Sequence, residues 1–266
     1  MSRTHPTHRS HWSGIVASIP LIGLLLLPLL ALASATTIDD IIAGIQHPLF
    51  GPALRLSTQS SLISLLIVIT AGTPVAWWLS HTSGTGRRLI EMIVDLPIVL
   101  PPAVLGVALL QAYGQSGWLG PIFQHFGIQV PFTTTAVILA QVVVSAPFYI
   151  QSAAAAFRRI DPNLLLVAQT LGATPKGAVL RVALPIALPG LIAGATLAWA
   201  RALGEFGATL LFAGNLMNTT QTMPLAIYTA LESDVRVAIA LSLVLAAVAV
   251  GLLLLLRWLP RDEVHP

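Results

Sequence analysis

The chain of 266 residues is 56% hydrophobic and only 9% charged, and its mean hydropathy of +0.85 excludes a water-soluble domain of this size. A net charge of +3 and a pI near 10.0 would suit a nucleic-acid binder, but the 13 basic residues are scattered among hydrophobic spans and form no basic face. With no cysteine, disulfide frameworks and thiolate metal sites are excluded as well.

Residues 1–13 read as a basic cytoplasmic tail. His5, His8 and His11 are evenly spaced there, yet without an acidic neighbour they fit a solvated tail better than a metal site. Apolar runs near residues 14–34, 59–80, 94–113, 133–157, 186–213 and 236–257 are long enough to cross a bilayer. They predict an all-α integral membrane protein, six transmembrane helices in a single domain over 14–266. The first run has a second reading, a secretory signal ending at "ASA", Ala33 to Ala35; the apolar stretch from Ile15 to Ala33 exceeds a usual signal core and favours a retained span. Loop charges alternate: Arg3, Arg9, Arg87, Arg88, Arg158, Arg159, Lys176, Arg181, Arg257 and Arg261 fall on one side, Arg55 and Arg236 on the other. That bias predicts a multi-pass protein with both termini in the cytoplasm. Trp12, Trp77, Trp78 and Trp258 then sit at cytoplasmic span ends, where an amphipathic ring suits the interface.

Several function classes fall away. No GxxxxGK[ST] run is present to cradle nucleotide phosphates, so any ATP is hydrolysed by a partner chain. The lack of an internal repeat counts against a secondary carrier built from inverted halves, which stays open as the alternative class. "GQSG", Gly114 to Gly117, superficially matches a serine-protease motif, but Ser116 falls at an outer helix end, all seven histidines lie in loops or tails by this topology, and no HExxH occurs. No catalytic residue, metal or cofactor is expected.

The most informative stretch is the loop "RRIDPNLLLVAQTLGATPKGAVLRVALPIALPG" between the fourth and fifth runs. Asp161 is a candidate N-cap with Pro162 in the first turn, and Gly172 is a natural C-terminal stop. Thr174 and Pro175 repeat the start signal, and Pro185 reads as a second stop. The first of these two helices carries Leu164, Leu165, Leu166, Val167, Ala168 and Leu171, too apolar a set to stand in water uncovered. Packing against the chain's own spans is one explanation; presentation to a groove on a partner is the other.

The loop resembles that of the membrane subunits of ATP-binding-cassette (ABC) importers, whose pattern is EAA, three residues, Gly, nine residues, then I-x-L-P. With Gly172 as the glycine, Ala168 takes the last alanine, Val182 the isoleucine, and Leu184 and Pro185 the final pair. Leu166 stands in place of the glutamate and Val167 in place of an alanine, which puts the glutamate's contact with the ATPase in doubt. "LPIVLPPAVLG" from Leu96, "VVVSAPFYIQSAAAAFRRID" up to Asp161, "RALGEFGATLLFAGN" from Arg201 and "TQTMPLAIYTALES" from Thr220 narrow the resemblance to the molybdate permeases. Sulfate permeases share several of these stretches, and tungstate is not separable from molybdate by charge or shape. The resemblance implies a type I ABC importer permease fold in a prokaryotic inner membrane, with two copies of the chain forming the pore. ATPase subunits would dock beneath, and an extracytoplasmic binding protein would deliver the oxyanion. It also implies a coupling helix within a loop of about 158–185, with Leu165, Ala168, Gly172, Ala173, Leu184 and Pro185 at the ATPase contact.

One feature is unusual inside an apolar run: Arg201 and Glu205, four residues apart and so on one face of a continuous helix. Each charge is costly in a bilayer, so the two are expected to pair, either as packing between helices or as part of the gate that opens for the anion. Gly204 and Gly207 beside them are expected to allow close helix approach.

Overall fold

The computed structural model describes residues 10–258, and within that range every regular element is helical. In chain order these are α1 (Ser10–Ser34), α2 (Ile38–Gln46), α3 (Phe50–His81), α4 (Thr85–Val99), α5 (Pro102–Tyr113), α6 (Gly120–His125) and α7 (Thr134–Arg158). The second half holds α8 (Pro162–Thr170), α9 (Pro175–Ala178), α10 (Leu184–Leu203), α11 (Gly207–Ala213), α12 (Met223–Ser233) and α13 (Val235–Trp258). His5, His8, Arg3, Arg9 and Arg261 lie outside the described residues.

Among the described residues, four continuous helical stretches are long and apolar enough to cross a membrane: α3, α7, Pro175–Leu203 and α13. Six are reached if α1 with α2, and α4 with α5, each count as one bent span. The expected span over 94–113 is thus not straight but turns by 115° between α4 and α5. The cause is local. Pro101 and Pro102 follow Leu100, whose backbone is extended at φ −73° and ψ 136°, because a residue before proline is pushed out of the helical region.

The expected stop at Pro185 does not occur. α9 runs into a π turn at Val179–Ala183 and on into α10, one continuous helix of 29 residues from Pro175 to Leu203. A proline ring collides with the carbonyl four residues back, and widening the turn just ahead of it relieves that collision, which is how a membrane helix tolerates proline.

The central packing is α7 between α3 and α10. Val68, Ala76, Leu79, Tyr149, Ala153, Phe157, Ala187 and Leu191 are buried together there. On α10, Gly190 and Gly194 are four apart, and a Cβ on either would fall 2.5 Å from the Ala156 Cβ or 2.7 Å from the Ser152 Cβ of α7. Small residues facing small residues let the backbones close up, where dispersion rather than water exclusion holds helices together. The Ser152 hydroxyl then reaches the Gly190 carbonyl at 3.1 Å. Polar ties fasten the same helices elsewhere: Thr73 to Tyr149 at 2.6 Å, and the Trp199 indole N–H donating to Ser61 at 3.0 Å. A second cluster joins α5, α7 and α11, and a third joins the start of α3 to α12 and α13.

Candidate coupling helix and embedded ion pair

α8 forms as its caps dictate. The Asp161 carboxylate accepts the Asn163 N–H at 2.9 Å, with Pro162 at the first helical position. At the other end Gly172 takes φ +93°, its N–H donates to the Gln169 carbonyl at 3.0 Å, and the Ala173 N–H donates to the Ala168 carbonyl at 3.0 Å. That pair of bonds is a Schellman motif, which saves the last carbonyls from going unpaired. Thr174 then caps α9 through the Gly177 N–H at 3.1 Å.

The faces of α8 divide the expected contact residues. Leu165 packs on the central cluster and, with Gln169, Trp77 and Lys176, lines a groove of about 330 Å³ between α8 and α9. Ala168 and Ala173 are half-buried. Leu164, Val167 and Leu171, at spacings of three and four, form an outward stripe, 45%, 54% and 84% exposed; Leu166 is exposed on another side. Of the remaining pair, Leu184 packs on the cluster and Pro185 is exposed within the continuous helix. Trp77 is partly buried, edge-on to Phe157 at 5.1 Å. Beside this end, Glu91 of α4 pairs with Arg87 at 2.8 Å and with Arg158 of α7 at 3.5 Å, and Gln151 donates to Asp95 at 2.6 Å. Arg87 and Glu91 are four apart on α4, but the ties to Arg158 and Gln151 were not evident from sequence, because they join segments far apart in the chain.

Arg201 and Glu205 do meet, at 2.8 Å, but not along one helix. α10 stops at Leu203, Gly204 is its C-cap, and Glu205 lies in the break before α11. Glu205 is 1% exposed and its second oxygen accepts the Ala208 N–H at 2.8 Å, in the first turn of α11. The carboxylate therefore links the arginine in the last turn of α10 to the start of α11, and each charge sits at the helix end whose partial charge it offsets. α11 spans seven residues, so the break lies about 10 Å inside the bundle end at which α7 begins; the Phe132 N–H, just before α7, donates to the Phe212 carbonyl. Gly207 is a close-approach site, where a Cβ would fall 2.8 Å from the Pro102 Cβ. Gly204 is not: its nearest neighbour is the Ala200 carbonyl of its own helix at 3.6 Å. Ser116 lines an outer cleft with Gln111, Gln115 and Gln129, and no histidine is among the lining residues.

Residues 69–262 match the family model described as "Binding-protein-dependent transport system inner membrane component". The chain belongs to that family. It is similar to the molybdenum transport system permease protein ModB of Mycobacterium bovis, 40% identical over 92% of both chains. It is also similar to the probable transport system permease protein NifC of Clostridium pasteurianum, 39% identical over 78% of this chain and 73% of the other. In structure it resembles a chain of a bacterial ABC transporter involved in the import of alginate, with a TM-score of 0.74 over 97% of this chain and 98% of that one, at 19% identity. The fold is that of a type I ABC importer permease, an integral multi-pass protein of the inner membrane. In this permease the capped α8 and the broken α10–α11 span occupy opposite ends of one helix that starts at Pro175.

Proposed function

We propose that this permease is the membrane subunit of an ATP-driven molybdate importer, with tungstate sharing the route. Two copies form the pore, ABC ATPases dock against α8, and an extracytoplasmic oxyanion-binding protein delivers the anion at the far end. The observation that carries this reading is the outward stripe of Leu164, Val167 and Leu171 on a helix capped at both ends, in a chain whose relatives are named for molybdenum transport. Closure of the ATPases on nucleotide would push the two α8 helices together and shift the spans between two packings, a change of population rather than chemistry within this chain.

The topology supports cytoplasmic termini. α1 leads to α2 at the bundle end opposite α8, and α13 starts beside α2, so both described ends of the chain run back toward the α8 end, where Arg87, Arg158 and Lys176 gather. The deciding experiment reconstitutes the permease with its ATPase and binding protein and compares ATPase stimulation by molybdate-loaded and sulfate-loaded binding protein. Stimulation by molybdate alone is expected. Stimulation by sulfate alone would reassign the substrate, and solute exchange by the permease without ATP would restore the secondary-carrier reading.

A further inference from the structure

Between the first two long helices the chain turns by 80° into α2, so a helix following a membrane-crossing one lies close to the membrane plane. Its start is fixed by a capping box: the Asp40 N–H donates to the Thr37 hydroxyl at 3.2 Å and the Thr37 N–H donates to the Asp40 carboxylate at 3.1 Å. The Asp40 carboxylate also accepts the Thr37 hydroxyl at 2.6 Å.

At about 100° per residue α2 divides into three sides. Ile38, Ile41, Ile42 and Ile45 share one arc; Ile38 is 77% exposed, Ile42 and Ile45 47% each. Gly44 borders that arc and is pressed against Ala240 of α13, with no room for a side chain. Asp39, Asp40, Ala43 and Gln46 occupy the rest. The helix thus leans on α13 by an edge, with its apolar side to one hand and its charged side to the other. A helix in a membrane interface needs this division: acyl chains against one side, water against the opposite side, protein along an edge. Depth is consistent, since Ala240 lies five residues past the start of α13, about 7.5 Å along its axis, and Asp40 feels Arg236 in the first turn of that helix. The exposed apolar surface of α1, including Leu29 and Leu30, runs up to the same corner.

We propose that α2 is seated in the lipid leaflet at the bundle end opposite α8, with Ile38, Ile42 and Ile45 among the acyl chains. It anchors α1, whose described side chains are exposed along nearly their whole length. Because the chain has no cysteine, single substitutions Ile38→Cys, Asp39→Cys, Ile42→Cys, Ala43→Cys and Ile45→Cys place one nitroxide each on the full-length protein. In phosphatidylethanolamine/phosphatidylglycerol vesicles, labels at 38, 42 and 45 should collide with oxygen severalfold more than with a water-soluble nickel chelate. Labels at 39 and 43 should show the reverse. Labels at 42 and 45 as open to nickel as that at 43 would overturn the proposal, and so would labels that collide with neither reagent, which would put protein there. Dipolar broadening between labels at 42 would identify a second copy as the occupant and overturn it equally. Should labelling disturb the fold, Ile42→Trp read against the parent gives the same decision: extra quenching by lipids brominated near the headgroup is expected, and none overturns it.

Discussion

Two helix ends in this permease, α8 at Gly172 and α10 at Gly204, both return backbone N–H groups to their last carbonyls, but only the second adds an ion pair. Each leaves its last carbonyls without intrahelical partners. At α8 the chain itself folds back, a left-handed glycine turning the Gln169 and Ala168 carbonyls onto the next two N–H groups, and no charged side chain takes part. At α10 the Gly204 and Glu205 N–H groups donate to the Ala200 and Ala202 carbonyls, and buried Glu205 also pairs with Arg201 of the last turn and accepts the Ala208 N–H in the first turn of α11. The difference lies in what each end joins: α8 ends on the backbone alone and leaves its side chains free to present an apolar stripe, whereas the α10 end carries a carboxylate that ties Arg201 to the start of α11.

The strongest test of this contrast is Glu205→Ala. It leaves partly exposed Arg201 without its partner and the buried Ala208 N–H unpaired, a combined loss of about 3 kcal/mol. Recovery of folded permease and its thermal midpoint in detergent should both fall sharply, and further than for Arg201→Ala, since the arginine is partly exposed and holds one bond of the two. Equal losses from the two single variants would show that the cap on α11 contributes nothing.

Gly172→Val should cost less, about 1–2 kcal/mol, because a branched side chain resists φ +93°. The damage should be local: normal membrane insertion, but reduced ATPase recovery and uptake. Normal ATPase recovery with normal uptake would remove the turn from coupling.

These two sites differed in how far sequence revealed them. The caps of α8 were legible because Asp-Pro, Gly and Thr-Pro act on backbone groups within three or four residues of themselves. The break after Leu203 was not, since Arg201 and Glu205 at a spacing of four read naturally as one helical face, and Gly204, which caps α10, read as a close-approach site rather than a stop. Pro185 misled in the other direction, as the π turn at Val179–Ala183 takes up its ring within a helix that continues. The facing of α8 was also hidden: a nine-residue helix apolar on several sides carries no periodic signal, so Leu165 and Leu164 were equivalent until α3 and α9 were placed around them.

That facing gives the third test. Leu164→Glu and Leu171→Glu alter exposed positions and should lower ATPase co-purification while the permease alone keeps its thermal midpoint. Leu165→Glu should do the reverse, lowering the midpoint because it drives a charge into the central cluster. A midpoint drop from Leu171→Glu would mean that the stripe is covered by this chain rather than by a partner.

The smallest effect is expected from the double substitution Arg201→Met with Glu205→Gln. Glutamine keeps an oxygen where the Ala208 N–H needs one, and methionine keeps the length of the arginine stem without a charge to strand, so both helix ends stay satisfied apart from the lost ion pair. Replacing a buried pair by side chains of similar volume is often close to neutral, and a change in stability within about 1 kcal/mol is expected here. The double variant should therefore tolerate what Glu205→Ala does not. Since Glu205 bonds both sides of the break, scaffolding is the expected role of the pair, and molybdate uptake should then persist in the double variant. Normal assembly with uptake abolished would instead assign the two charges to the gate, whereas an assembly loss as large as that of Glu205→Ala would show that charge itself, not hydrogen-bond satisfaction, closes the α10–α11 break.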